Sequence, residues 1–316
     1  MNTLSKKIDF AVVFAVKHAN PNGDPLNGNR PRLTEEGFGE VSDVCLKRKM
    51  RDRLLESGYP IFVQSDDRKI DDCTSLRDRA EKNEKLNVLF QNKGKKKNKN
   101  TDAADSEQAE SDKGESIDKL IAKVACESWM DVRAFGQLIA LKGGKKNTDG
   151  DNEDAGKGKG VSIGIRGPVT VRSAFSTTKL NPSSIQITKS VNSEDADKRA
   201  SDTMGMKHRV SEALYLFQGS INPKLAERTG FSDADADAIK KVLQCLFDND
   251  ASSARPEGSM YVQRVYWWEQ PLEKEPVPSW RLHESVKPNA AGIPVFDNSV
   301  PRPEILGKVP EPEASV

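Results

Sequence analysis

Residues 8–16 read IDFAVVFAV, a nearly unbroken run of β-branched, aromatic and small apolar side chains. A strand with one face in water would alternate, so the run predicts a central strand covered on both faces. It ends at residues 20–29, NPNGDPLNGN, where Pro21, Gly23, Pro25 and Gly28 among asparagines specify a loop whose backbone visits positive φ. Residues 41–58, VSDVCLKRKMRDRLLESG, predict a helix with Ser42 as N-cap, strong helix formers inside and Gly58 in the stopping position. Helical spacing puts Val41, Val44, Cys45, Arg48 and Leu55 on one face. It also sets Lys47 with Arg51, and Lys49 with Arg53, as two i, i+4 stripes of positive charge.

Farther along, residues 91–116 and 142–160 are almost free of apolar side chains and cannot bury enough surface to order themselves. They are expected to be disordered loops inserted into one fold. Between them, residues 117–141 open as a helix and continue into DVRAFG at 131–136. Residues 161–176, VSIGIRGPVTVRSAFS, alternate as a strand, with Val161, Ile163, Ile165, Val169 and Val171 on one face and Arg166, Thr170 and Arg172 on the other. Residues 177–206 are polar apart from IQIT at 185–188, and too long for a turn, which suggests a long hairpin excursion. An apolar strand or short helix follows at 210–221. A helix at 232–248 carries Ile239, Val242, Leu243, Leu246 and Phe247 at core spacing, with Asp233, Asp235 and Asp237 near its positive end. MYVQRVYWW at 260–268 reads as the final strand. Nine prolines then fall in residues 269–316, predicting an irregular tail extended over the body. The order strand, helix, strands, helix, strand fits an α+β fold built on a modified βαββαβ ferredoxin-like unit, the RRM arrangement.

The chain has 316 residues, 35% of them hydrophobic, which allows one substantial core, read as one domain over 1–268 plus the tail at 269–316. Its 49 basic and 48 acidic residues nearly cancel, so any nucleic-acid surface must be local. Cys45, Cys73, Cys126 and Cys245 lie far apart without a CxxC pair, against both a zinc site and a disulfide framework. The N-terminal apolar run is shorter than a membrane span and no cleavage site follows, so no membrane is expected and a soluble cytoplasmic protein is.

Chemistry-bearing motifs are sparse. His18, His208 and His283 stand outside HxxxH, HExxH or HxE contexts, and GKGKGVSIG at 156–164 lacks phosphate-loop spacing and runs into a strand. No catalytic residue, metal or cofactor is expected. Asp24 and the asparagines of 20–29 suit a turn, a metal or a phosphate, and the basic helix suits either a solvated face or RNA.

Taken in order, NPNGDP after the first strand, VSDVCLKRKMRDRL, DVRAFG, IRGPVTVRSAFS at 165–176, TMGMKHRVSEALY at 203–215 and FDNDASSARPEG at 247–258 resemble the backbone subunit of the type I-C CRISPR Cascade complex, of the RAMP superfamily. The resemblance runs from residue 8 to about 268. It implies an RRM-like palm with inserted finger loops and a long thumb-like β-hairpin near 177–206. The subunit would polymerise on guide RNA, interrupt the base stack at intervals and leave the other bases free to pair with target DNA. Its implied partners are CRISPR guide RNA, further copies of itself, other Cascade subunits and, through the guide, target DNA. Carried onto this chain, the RNA-binding candidates are Asn22, Arg30, Arg32, Lys47, Arg48, Arg51, Arg166, Arg172, Lys189, Met206, Lys207, His208 and Arg209, with Met204 beside them. Some RAMP relatives cut RNA, so the competing reading is an endoribonuclease with His208 between Lys207 and Arg209 as acid/base. A protein-bridging scaffold is the third.

Overall fold

The computed structural model describes residues 3–99, 116–141, 161–188 and 204–307. In chain order the strands are β1 (Lys6–Ala19), β2 (Gly23–Asp24), β3 (Arg30–Pro31), β4 (Phe38–Val41), β5 (Gly136–Leu141), β6 (Val161–Arg166), β7 (Val169–Val171), β8 (Ala174–Lys179), β9 (Ser183–Thr188), β10 (Met204–Ile221), β11 (Met260–Pro271), β12 (Val286–Pro288), β13 (Pro294–Phe296) and β14 (Glu304–Leu306). The helices are α1 (Asp43–Glu56), α2 (Leu76–Lys82), α3 (Glu84–Lys99), α4 (Ile117–Ser128), α5 (Met130–Phe135), α6 (Pro223–Thr229), α7 (Asp233–Gln244) and α8 (Ser279–Glu284). The result is a mixed α/β fold with one large antiparallel sheet. Two compact units are distinguished: a sheet unit of Ser5–Arg53, Thr170–Ile221 and Ala236–Val316, and a helical unit of Met1–Leu4, Leu54–Val169 and Asn222–Asp235.

The sheet unit is built on β1. Its strands run β14-β11-β1-β10-β8-β4, and β7 and β9 also pair with β10. The apolar run at 8–16 lies between β10 and β11 with every residue buried, so the expected two-sided cover exists. One face is aromatic: Phe10 stacks on Trp267 at 5.8 Å, Phe14 on Tyr215 at 5.2 Å, and Phe247 lies 4.7 Å from Phe14. The other face packs Ala11, Val13, Tyr266 and Trp268 against Leu282 and Val286. Gly219 stands opposite Phe10, and a Cβ there would come within 2.2 Å of the ring, so β10 tolerates only glycine at this crossing.

The helix expected over 41–58 forms as α1. The Ser42 hydroxyl accepts from Cys45 N at 3.3 Å, and Gly58 takes φ +85°. Its inner face agrees with the expected one at Val41 and Leu55, which are buried, and differs elsewhere. Leu46, Met50, Leu54, Lys49 and Arg53 are buried, while Val44 is 69% exposed. The Lys49/Arg53 stripe is therefore interior: Lys49 pairs with Asp250, which also receives Arg255 Nε at 3.0 Å. Burial pulls the Lys49 ammonium below the ordinary lysine value. Burial also opposes ionisation of Asp250, but Lys49 and Arg255 outweigh it and hold its carboxyl below the usual range.

The helical unit has its own core, with Phe62, Leu86, Ile121, Ala125, Trp129 and Val132 at its centre. Polar pins fix its backbone. Asp131, 1% exposed, accepts from Phe62 N at 2.7 Å and Val63 N at 3.0 Å. Arg79 donates to Phe62 O at 2.7 Å and grips both carboxylate oxygens of Asp71 at 2.7 Å. Arg133 forks onto Asp235 at 3.0 and 2.7 Å. Gly136 adopts φ +79° with its Cα against β6, where a Cβ would lie 2.2 Å from Ile165 O.

Arg79 beside Asp71 holds that carboxyl at about 2, below its ordinary 3.8. A depressed folded value means the pair stabilises fully above 3.8 and loses its contribution as pH falls through about 2. Acid titration followed by intrinsic tryptophan fluorescence should show part of the unit's stability lost in that window, and Asp71→Asn should flatten it. An unchanged acid limb in the variant would contradict the assignment.

Several expected segments come out differently. The stretch 161–176 is not one strand: Gly167–Pro168 separates β6, paired with β5, from β7, paired with β10, because proline cannot donate to a ladder. Helix α3 runs to Lys99, into the stretch read as a loop from residue 91; the rest of that stretch to 115, and all of 142–160, lie outside the described residues. The segment 210–221 is strand. β11 is not the last strand, since the tail supplies α8, the β12–β13 hairpin and β14 on β11. Pro288 and Pro294 stand at short strand ends, and Pro301 O accepts from Trp268 Nε1 at 2.9 Å.

Candidate nucleic-acid interface

β10 organises the candidate surface. At 18 residues it spans about 60 Å. From Val210 to Ile221 it pairs with β1 inside the main sheet, whereas from Met204 to Arg209 its partner is β9. One continuous strand thus joins a two-stranded β9/β10 pair to the buried sheet. Directly opposed residues share a face, so Met204, Met206 and His208 line up with Thr188, Gln186 and Ser184. Lys207 and Arg209 lie on the other face with Ile185, Ile187 and Ser183. The exposures of Met204 (58%), Met206 (55%), Ile187 (46%) and Ile185 (37%) decide the character of the hairpin: four apolar side chains in a short polar stretch have no core to enter.

Polar contacts are local. His208 Nδ1 lies 2.8 Å from Ser184 Oγ, and Gln186 contacts the Met204 sulfur. Arg209 is half-buried, and its Nε has no hydrogen-bond partner among the described residues.

The asparagine-rich loop forms the β2–β3 hairpin, and β3 lies against β10. Its tip uses the expected positive φ, at Gly28 (+57°) and Asn29 (+58°). Asp24 caps Leu26 N at 3.2 Å and lies 3.7 Å from Arg32, so its carboxylate serves the turn. Asn22 Oδ1 accepts from both the backbone N and the hydroxyl of Ser42 at 3.0 Å, tying the loop to the start of α1. Arg30 is exposed, and Arg32 Nε, like that of Arg209, is buried without a hydrogen-bond partner among the described residues.

The remaining candidates are less concentrated. On α1, Lys47 pairs with Asp43 at 3.0 Å and Arg48 with Asp52 at 3.8 Å, while Arg51 is half-buried. Arg166 and Arg172 are both exposed, but they do not share a strand face: Arg166 ends β6 in the helical unit, and Arg172 follows β7 in the sheet unit. Lys189 lies outside the described residues. Ile185 and Ile187 were absent from the candidates, although the alternation of IQIT in a polar stretch was the signal that could have found them.

Among the described residues no three His, Cys, Asp or Glu side chains gather as a metal site, and no helix is long and apolar enough to cross a membrane.

Comparison with known proteins gives this arrangement a family. A curated relative from Haloferax volcanii, described as CRISPR-associated protein Cas7, is 25% identical over 272 residues, covering 84% of this chain and 72% of that one. Two solved chains are similar in structure. One, from a CRISPR RNA-guided surveillance complex, pre-nicking, has a TM-score of 0.42 at 13% identity, covering 86% of this chain and 80% of that one. The other, from a CRISPR RNA-guided surveillance complex, has 0.39 at 12%, covering 88% and 80%. The family model for CRISPR-associated protein Cas7 matches residues 6–302, nearly the whole chain, and the protein therefore belongs to the Cas7 family.

Proposed function

We propose that this chain is the guide-RNA-binding backbone subunit of a type I-C CRISPR surveillance complex of the Cascade kind, and that it has no catalytic step of its own. Copies line up along the guide RNA in the cytoplasm, beside the other Cascade subunits, and leave bases free for target DNA. The observation that carries the reading is β10, one strand that begins in an exposed hairpin bearing Met204, Met206, Lys207 and Arg209 and ends in the buried sheet. A guide must be held without being read. Lys207, Arg209, Arg30 and Arg32 suit phosphate, and the Met and Ile side chains offer apolar surface to base faces, which every base possesses. Asn22, Lys47, Arg48, Arg51, Arg166, Arg172, Lys189 and His208 complete the proposed contact set.

The run β11-β1-β10-β8, with α1 and α7 between successive strands, supports an RRM-like palm, and the β9/β10 pair supports a thumb within 177–206. A net charge of +1 suits a subunit packed against its own copies, where a strongly basic chain would repel its neighbours.

Co-expression with a CRISPR array, followed by sizing and RNA extraction, tests the reading. The expected result is a large particle containing several copies and RNA of spacer-dependent length. A monomer free of RNA would overturn it. Specific cleavage of labelled repeat RNA, lost in His208→Ala, would overturn its non-catalytic part.

A further inference from the structure

We propose that the sheet unit carries a nucleobase slot beside Tyr261, which takes one unpaired base of the bound RNA. The proposal rests on the RNA-binding reading above and adds to it a site farther along β10, past the hairpin residues. On the face of β1 that carries Ala11 and Val13, the C-terminal tail covers the sheet with Leu282 and Val286. One row farther along, the register places Leu214, Ala15 and Tyr261 side by side across β10, β1 and β11. Alanine between leucine and tyrosine leaves a notch with one aromatic wall. The notch opens into a cleft of about 310 Å³, closed on the far side by the turn at Ala291 and Gly292. Gly292 packs so closely on Thr178 that a Cβ would meet its methyl group at 2.7 Å, so the turn and β8 form one continuous wall.

A second feature aims chemistry into the cleft. The pairing of β1 with β11 steps from Val13↔Arg264 to Phe14↔Val262, leaving Gln263 as the extra residue of a β-bulge. Bulges re-aim side chains, and Gln263 lines the cleft together with Thr177 and Thr178. At the next row Lys17 and Glu212, both exposed, pair at 3.0 Å at the mouth.

These groups match a base better than an apolar anchor. The tyrosine ring offers a stacking surface, the glutamine amide both donates and accepts along a base edge, and the lysine stands where a phosphate would follow. The cleft is at the lower end of small-ligand pockets, roughly 300–1,000 Å³, which is the scale of a single nucleotide. Because an amide and hydroxyls can serve any base edge, the slot is compatible with a guide of arbitrary sequence.

The test uses full-length protein and a single-stranded RNA carrying 4-thiouridine, with the crosslinked peptide identified by mass spectrometry. The expected crosslink lies in the peptide containing Tyr261. Tyr261→Leu, which keeps bulk without the ring, should abolish the crosslink and weaken affinity roughly 5- to 150-fold, the range for one stacked base, with no change in salt dependence. Gln263→Leu, which leaves the ring in place, should weaken binding several-fold. If the wild-type protein binds RNA but crosslinks elsewhere, and both variants bind as it does, the slot is overturned while the RNA-binding reading stands. A wild-type protein that binds no RNA overturns both.

Discussion

Replacing Asp131 by alanine is expected to destabilise the helical unit by about 4 kcal/mol, the largest effect of any single substitution considered. Its two carboxylate oxygens accept from the backbone N–H groups of Phe62 and Val63 in an interior where Asp131 is 1% exposed. Alanine leaves both donors without acceptors, Phe62 N–H buried and Val63 N–H half-buried, at roughly 1–3 kcal/mol each. The peptide joining Phe62 to Val63 is also held at its carbonyl by Arg79, so it cannot turn to water without breaking a second contact. Asp131→Asn keeps one acceptor and should lose about half as much. Chemical denaturation followed by intrinsic tryptophan fluorescence separates the two. Equal midpoints for wild type and Asp131→Ala would show that the carboxylate is not the pin.

Charge reversal at both Lys207 and Arg209 is expected to weaken RNA binding about 100-fold near physiological salt. Two attractions become two repulsions, worth about 1–1.5 kcal/mol each at partly exposed sites. The fold should survive, because residues 204–209 are held to β9 by backbone pairing and neither side chain is fully buried. Filter binding, with a melting curve as control for folding, measures this. Affinity within a factor of two of wild type would remove the hairpin base from the interface.

What could be read from the sequence was local. The Ser42 cap, the Gly58 stop and the positive φ at Gly28 and Asn29 depend on neighbours within a few residues, and all four are present. The fate of α1's charges was not legible, because Lys49 is neutralised by Asp250, 201 residues away. Nothing in a helical wheel distinguishes a solvated lysine from one held by a distant carboxylate. The same limit explains Arg166 and Arg172: the alternation through 161–176 is real, but Gly167 and Pro168 hand the chain from one sheet to another. DVRAFG was recognisable by resemblance alone, and its role as an internal clamp through Asp131, Arg133 and Gly136 depends on partners at 62, 63, 165 and 235. At the candidate interface, Lys207 and Arg209 were legible as charge. The orientation that gives Met204 and Met206 one face and the cations the other follows once 204–209 is strand, and the β9 register decides which residues join each face.

The central claim is that this Cas7-family chain holds RNA by its backbone, with the hairpin base supplying the charge. It is tested most directly by the dependence of affinity on salt for two unrelated single-stranded RNA sequences. The account predicts one slope shared by both sequences, reduced by about 1.4 when Lys207 and Arg209 are both reversed, since each single-strand phosphate contact contributes about 0.7. A slope unchanged by the double variant, or binding confined to one of the two sequences, would contradict it.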